Sequence, residues 1–334
     1  MRPLSDTLAR LAAFRIFPIE ETGNDHLVEL TDFGSNPGAL RAWTHIPEAL
    51  RARSPLVVVL HGCRQTAGGY DLSAGWSQLA EERGFALLFP EQQRANNPRR
   101  CFNWFEPEDA TRDSGEALSI REMIGRVMLD HRIDPRRVYI TGLSAGGAMA
   151  STMLATYPEL FAGGAIIAGL PHGVARTVPE AFDRMRGHGM PTPRALQALV
   201  RGASAHEGPW PVLSIWQGDA DRTVAPSNAH AVLAQWRGLH GLRARPTRIE
   251  KEEGHAREVW CDAHGRPVIE RFTIEGMGHG TPLLCTEEGG ETAGPFMLDA
   301  GISSTRRIAE FWELAPPGAV RRGIEAALRK TGLI

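Results

Sequence analysis

Short apolar runs alternate along the chain with longer amphipathic ones. Leu56-Val-Val-Val-Leu60 is apolar at every position, as strands covered on both faces are. Runs at 85–89, 138–141, 164–168 and 212–216 are likewise rich in β-branched, aromatic or other apolar residues and read as buried strands. Between them the apolar spacing lengthens to a helical period, predicting helices over 73–83, 116–131 and 227–239, and a weaker one over 195–200. A further helical face begins with Ala148, Met149, Met153 and Leu154. Strand and helix in turn predict a doubly wound, mostly parallel sheet flanked by helices.

Outside this alternation, 27–30 and 40–46 read as an antiparallel hairpin at a sheet edge, joined through Gly34-Ser-Asn-Pro-Gly38. A second hairpin is expected where 258–261 and 268–274 flank Asp262-Ala-His-Gly265, and a closing helix over 303–312. At the start, Leu4, Leu8, Leu11 and Phe14 form an apolar stripe, so 1–18 is expected to be an amphipathic helix. Residues 169–211, rich in proline, glycine and charge, are expected to be a cap inserted over the strand ends. No internal repeat argues for dividing the chain, and 1–334 is read as a single domain.

Composition narrows the partners. A formal net charge of −2 without a long basic run gives no electrostatic reason to expect nucleic acid or an anionic membrane, and a small or neutral partner is expected instead. No apolar run is long enough to span a bilayer, and the N-terminus lacks the continuous apolar stretch and cleavage site of a signal peptide. Four cysteines are too few to make the fold disulfide-dependent, and none stands in a zinc-binding spacing. Nothing in the sequence sets the oligomeric state.

The chemistry centres on Val138-Tyr-Ile-Thr-Gly-Leu-Ser-Ala-Gly-Gly-Ala-Met149, a strand entering a helix through the G-x-S-x-G turn Gly142 to Gly146. Such an elbow forces the serine, here Ser144, into a strained conformation above the sheet, at the positive end of the following helix. A serine hydroxyl needs a base, and the base needs a carboxylate to fix its tautomer. In doubly wound hydrolases these follow the serine in the order acid, histidine, each after a strand. Asp219 and Asp221 both lie past strand 212–216, and either can supply the acid. His279, in a glycine-flanked loop past 268–274, is the expected base, with His172 its rival. The oxyanion donors are expected to be the N–H of Ala145 and, from the loop after Leu60, that of Cys63, with His61 in a structural hydrogen-bonding role. Trp104 and Phe105 either line an acyl groove or belong to the core. No metal or organic cofactor is implied, and neither G-x-G-x-x-G nor a P-loop is present.

Leu60-His-Gly-Cys-Arg-Gln65, Cys101-Phe-Asn-Trp-Phe105, Asp134-Pro-Arg-Arg-Val-Tyr139, Gly142-Leu-Ser-Ala-Gly-Gly147, Gly218-Asp-Ala-Asp-Arg-Thr-Val224 and Gly278-His279 together resemble the esterase family named for poly(3-hydroxybutyrate) depolymerases, which also contains acetylxylan and feruloyl esterases. The resemblance covers roughly 40–312. It implies an α/β-hydrolase fold, Ser144 as nucleophile, Asp221 as acid, His279 as base, and a Cys63–Cys101 disulfide. It further implies a cofactor-free carboxylesterase acting on a small or polymeric ester, short-chain hydroxyalkanoates first and acylated plant polysaccharides second, in an extracellular or periplasmic setting. The departures are the missing signal peptide, which leaves a cytoplasmic setting open, Gly280-Thr-Pro282 after the base, and His172, which stands where the family has an aromatic residue and is expected to touch substrate. A non-catalytic scaffold of the same fold is the reading from another class, and a fluorophosphonate probe separates the two.

Overall fold

The computed structural model describes residues 24–286 and 290–314; the helix expected over 1–18 lies outside them. Its main sheet runs β1 (Val28–Glu29), β2 (Arg41–His45), β3 (Leu56–Leu60), β4 (Ala86–Glu91), β5 (Val138–Leu143), β6 (Gly163–Ile167), β7 (Val212–Gly218), β8 (Arg248–Glu252), β9 (His255–Cys261) and β10 (Pro267–Ile274) along the chain. In space the order is β1-β2-β4-β3-β5-β6-β7-β10-β9-β8. The centre from β4 to β10 is parallel, and the expected hairpins add antiparallel strands at both edges.

The wholly apolar strands follow from this layering. Leu56, Val58 and Leu60 of β3 pack with Ile120, Ile124, Met149 and Trp236 on one face. Val57 and Val59 pack with Tyr70, Trp76, Leu79 and Trp312 on the other. Successive side chains of a strand point to opposite faces, so a strand with helices on both sides must be apolar throughout. The covering helices are Gly115–Asp130, Ala145–Thr156 and Ser227–Leu239 on the first face and Ala67–Ala74, Trp76–Arg83 and Ser304–Phe311 on the second.

Three elements differ from expectation. The helix expected over 73–83 is two helices, because Gly75 adopts φ 69°, a left-handed conformation that ends one helix and begins the next. Strand β8, Arg-Ile-Glu-Lys-Glu, has no apolar run. Its carboxylates pair instead with Arg257 of β9, whose Nη1 donates to Glu250 at 3.1 Å and to Glu252 at 3.4 Å. A charged strand at a sheet edge discourages further pairing. The expected cap, 169–211, holds not one helix but two, Val178–Met185 and Pro193–Arg201, capped by Thr177 and Thr192.

The order β4-β3-β5 makes β3 a switch point: the chain moves outward on one side to β4 and returns on the other to β5. Open α/β sheets bind ligands at the carboxyl ends of strands where the order reverses, which here means the loops after β3 and β5.

Candidate active site

Strand β5 ends in the turn that carries Ser144, at φ 57° and ψ −116°, with helix Ala145–Thr156 starting at the next residue. The flanking glycines are required by contact. A Cβ on Gly142 would lie 2.4 Å from the Gly146 carbonyl, and one on Gly146 would lie 2.4 Å from the Leu60 oxygen. The Ser144 N–H donates to the Ile167 carbonyl at 2.9 Å, which ties the strained corner to β6.

The loops after β7 and β10 meet Ser144. His279 Nε2 stands 2.9 Å from Ser144 Oγ, and its Nδ1 stands 2.7 Å from Asp221 Oδ2. A carboxylate accepts only, so the imidazole proton sits on Nδ1 and Nε2 presents its lone pair to the serine hydroxyl. Asp221 is buried; its Oδ1 accepts from the N–H groups of Thr223 at 2.8 Å and Val224 at 2.9 Å, and its Oδ2 also accepts from Gln217 Nε2 at 3.0 Å. Asp219 instead accepts from the Gly276 N–H at 2.7 Å and does not reach the histidine.

The structure places His172 elsewhere. Gln235 grips its backbone from both sides, at 3.0 Å each, and its ring meets Thr152 Oγ1 at 3.2 Å. Burial lowers its pKa to about 4. It is therefore neither beside Ser144 nor on the wall of the cleft, contrary to the expectation that it touches substrate.

The loop after β3 is held by His61, the residue expected in a structural hydrogen-bonding role, together with Gln92 and Gln65, which sequence reading did not single out. The Gln92 N–H donates to His61 Nε2 at 3.2 Å, so the His61 proton is on Nδ1 and donates to the Gly62 carbonyl at 2.7 Å. Burial holds the His61 pKa below its ordinary value and keeps the ring neutral. The Gly62 N–H donates to Gln65 Oε1 at 2.8 Å. Both backbone groups of Gly62 are thus engaged, and Cys63, the next residue, lies on the wall of the cleft, as Ser144 and Ala145 do.

Cys63 is disulfide-bonded to Cys101, and the Arg64 N–H donates to the Arg99 carbonyl at 2.6 Å. The 101–103 segment is anchored in turn. Gln92 Nε2 donates to the Cys101 carbonyl at 3.2 Å and to the buried Glu116, which also accepts from the Asn103 N–H at 2.9 Å. Burial, with the nearby Asp109 charge, pushes the Glu116 pKa up to about 8.

The cleft encloses about 370 Å³. Trp104, Phe105, Leu143 and Leu170 form part of its wall, and Phe182 and Met185 of helix Val178–Met185 face it from the 169–211 segment. Trp104 thus belongs to both core and cleft. The arrangement sets a hydroxyl paired with a base on the wall of a largely apolar cleft, which suits attack on a carbonyl carbon.

A family model described as "Esterase PHB depolymerase" matches residues 41–259. The poly(3-hydroxyalkanoate) depolymerase C of Paucimonas lemoignei is 44% identical over 289 residues, 86% of this chain and 70% of that protein. An acetylxylan esterase of Coprinopsis cinerea is 30% identical over 277 residues, 81% of this chain and 73% of that protein. Among solved structures, the acetyl xylan esterase from Aspergillus awamori superposes with a TM-score of 0.74 at 23% identity, covering 86% of this chain and 99% of that one, a likeness of fold.

Proposed function

The chain belongs to the Esterase PHB depolymerase family and is an esterase with the α/β-hydrolase fold, and from that premise we propose that it cleaves short-chain hydroxyalkanoate esters through an acyl-enzyme on Ser144. The observation that carries the proposal is the hydrogen-bonded line Ser144–His279–Asp221 opening into the apolar cleft. Ser144 Oγ attacks the ester carbonyl carbon while its proton passes to His279 Nε2, and Asp221 stabilises the imidazolium. The negative charge that develops on the carbonyl oxygen is met by the N–H groups of Cys63 and Ala145. As the C–O bond to the alcohol breaks, His279 returns the proton to the alcohol oxygen. Water then repeats the sequence and releases the acid.

The substrate class is supported by the name and 44% identity of the Paucimonas lemoignei relative, and by the largely apolar lining of the cleft. Butyrate esters are expected to turn over faster than palmitate esters at matched concentration, with hydroxybutyrate oligomers hydrolysed; a faster palmitate ester overturns the short-chain assignment. The acetylxylan esterase relative motivates a second reading, which gains the ground if acetate release from acetylxylan outpaces oligomer cleavage.

A disulfide beside the oxyanion loop suits an oxidising compartment, and the protein is proposed to work in the periplasm or outside the cell. Among the described residues no helix is long and apolar enough to cross a membrane. Denatured, unreduced protein should show free thiols at Cys261 and Cys285 only, and four reactive thiols would refute the bond. Reduction should lower kcat by up to roughly 10² to 10³, the worth of one oxyanion donor, and should move KM less.

A further inference from the structure

Phe296 occupies a backbone position that its side chain disfavours. Gly294-Pro-Phe-Met297 is a tight turn closed by the Gly294 N–H donating to the Met297 carbonyl at 2.8 Å and the reverse bond at 3.0 Å. Proline at the second position suits such a turn, but the third position has φ 64°, where glycine or asparagine is the ordinary occupant. A bulky residue held there is an outlier that asks for a functional reason.

The turn is tied to both halves of the site. The Thr281 N–H, two residues past His279, donates to the Phe296 carbonyl at 2.8 Å. Gln65, which holds the Gly62 N–H through its Oε1, donates from Nε2 to the Pro295 carbonyl at 3.4 Å. These bonds place the Phe296 ring on the wall of the cleft, edge-on to the His279 imidazole with 6.0 Å between ring centroids.

In the proposed reaction His279 Nε2 delivers its proton to the leaving alcohol oxygen, so that oxygen and its substituent must lie beside this imidazole. We propose that Phe296 determines leaving-group specificity, its ring forming the wall against which the alcohol portion of the ester packs while the C–O bond breaks. The inference rests on the reading of Ser144 and His279 as nucleophile and base. It explains why the turn keeps an aromatic residue where glycine would be relaxed.

The test holds the acyl group constant as butyrate and varies the alcohol: methanol, phenol and 3-hydroxybutyrate. Phe296→Gly removes the ring and relieves the positive φ together, and Phe296→Leu keeps apolar bulk should the glycine variant fail to fold. Phe296→Gly should lower kcat/KM for the phenyl and 3-hydroxybutyrate esters by about tenfold, roughly the worth of two buried methylenes, Phe296→Leu should lower it by about threefold, and both should leave the methyl ester within about twofold. Breakdown of the common butyryl-enzyme, followed in single turnovers, should stay within about twofold, and Phe296→Tyr should restore the wild-type pattern. A fall equal for all three alcohols, or matched by deacylation, overturns the proposal and leaves the ring as a prop for His279. An unchanged rate with every ester overturns it also. Ser144→Ala is run alongside: activity surviving there removes the underlying site reading as well, whereas a dead Ser144→Ala with alcohol-blind Phe296 variants removes only the role given to Phe296.

Discussion

Ser144→Ala is expected to lower ester turnover by on the order of 10⁶ while leaving the fold intact, because members of a working triad act as a unit and what remains comes from binding and the oxyanion donors. The fold should survive because the bond that ties the corner to β6 is made by the Ser144 N–H, which alanine keeps. The neighbours that force the tight elbow are the glycines at 142 and 146, and they are untouched. Alanine at φ 57° is strained much as serine is. The wild-type protein should also be stoichiometrically labelled by a fluorophosphonate, and the variant should not. A variant that keeps a tenth of the wild-type rate removes Ser144 from the mechanism.

The parts of this molecule that were legible in the sequence are those where a local steric or burial rule writes the residue directly. Strand Leu56–Leu60 and helix Ser227–Leu239 have the bounds their patterns announce, since the strand is buried throughout and the helix keeps one buried face along its length. The glycines around Ser144 are equally direct, each marking a Cβ that would strike backbone. Strand β8 escaped because an edge strand made stable by charge pairing carries no hydrophobic period. Helix Val178–Met185 was readable in principle from Thr177 followed by Pro179, a cap and first-turn proline, but the charge and proline of the surrounding stretch mask its apolar face at Ala181, Phe182 and Met185.

The supporting residues were not legible, for a physical reason. Gln65 and Pro295 are 230 positions apart, and Gln92 acts on His61 through a backbone N–H that any residue type but proline would supply. Contacts of this kind depend on how the loops meet, which no local pattern encodes. His172 illustrates the converse: it follows a strand as the base does, yet its backbone is held by Gln235 and its ring meets Thr152, while Leu170 of the same loop lines the cleft.

Asp221→Asn should reduce kcat by about 10⁴ with little change in KM, and the hydrogen-bond inventory around this side chain says why. Four N–H donors converge on the two carboxylate oxygens: Thr223 and Val224 on Oδ1, Gln217 and His279 on Oδ2. A carboxylate can accept all four, whereas an asparagine has one acceptor oxygen and an amide that donates. If that oxygen stays with the Thr223 and Val224 amides, the new NH₂ faces His279 Nδ1. Two donors cannot face each other, so the imidazole must move its proton to Nε2, where it points at Ser144 Oγ and the base is lost. If the amide turns over instead, the NH₂ confronts two backbone N–H groups and the loop after β7 must open. The first arrangement disables the histidine without altering the cleft wall and is the one expected, so the loss falls on kcat; the second would displace Thr223 and Val224, which line the cleft, and would raise KM as well. Asp219→Asn serves as the control, because that carboxylate accepts from the Gly276 N–H and has no contact with His279. It should stay within about tenfold of wild type, the worth of one ordinary hydrogen bond. The opposite ranking of the two variants would transfer the acid role to Asp219.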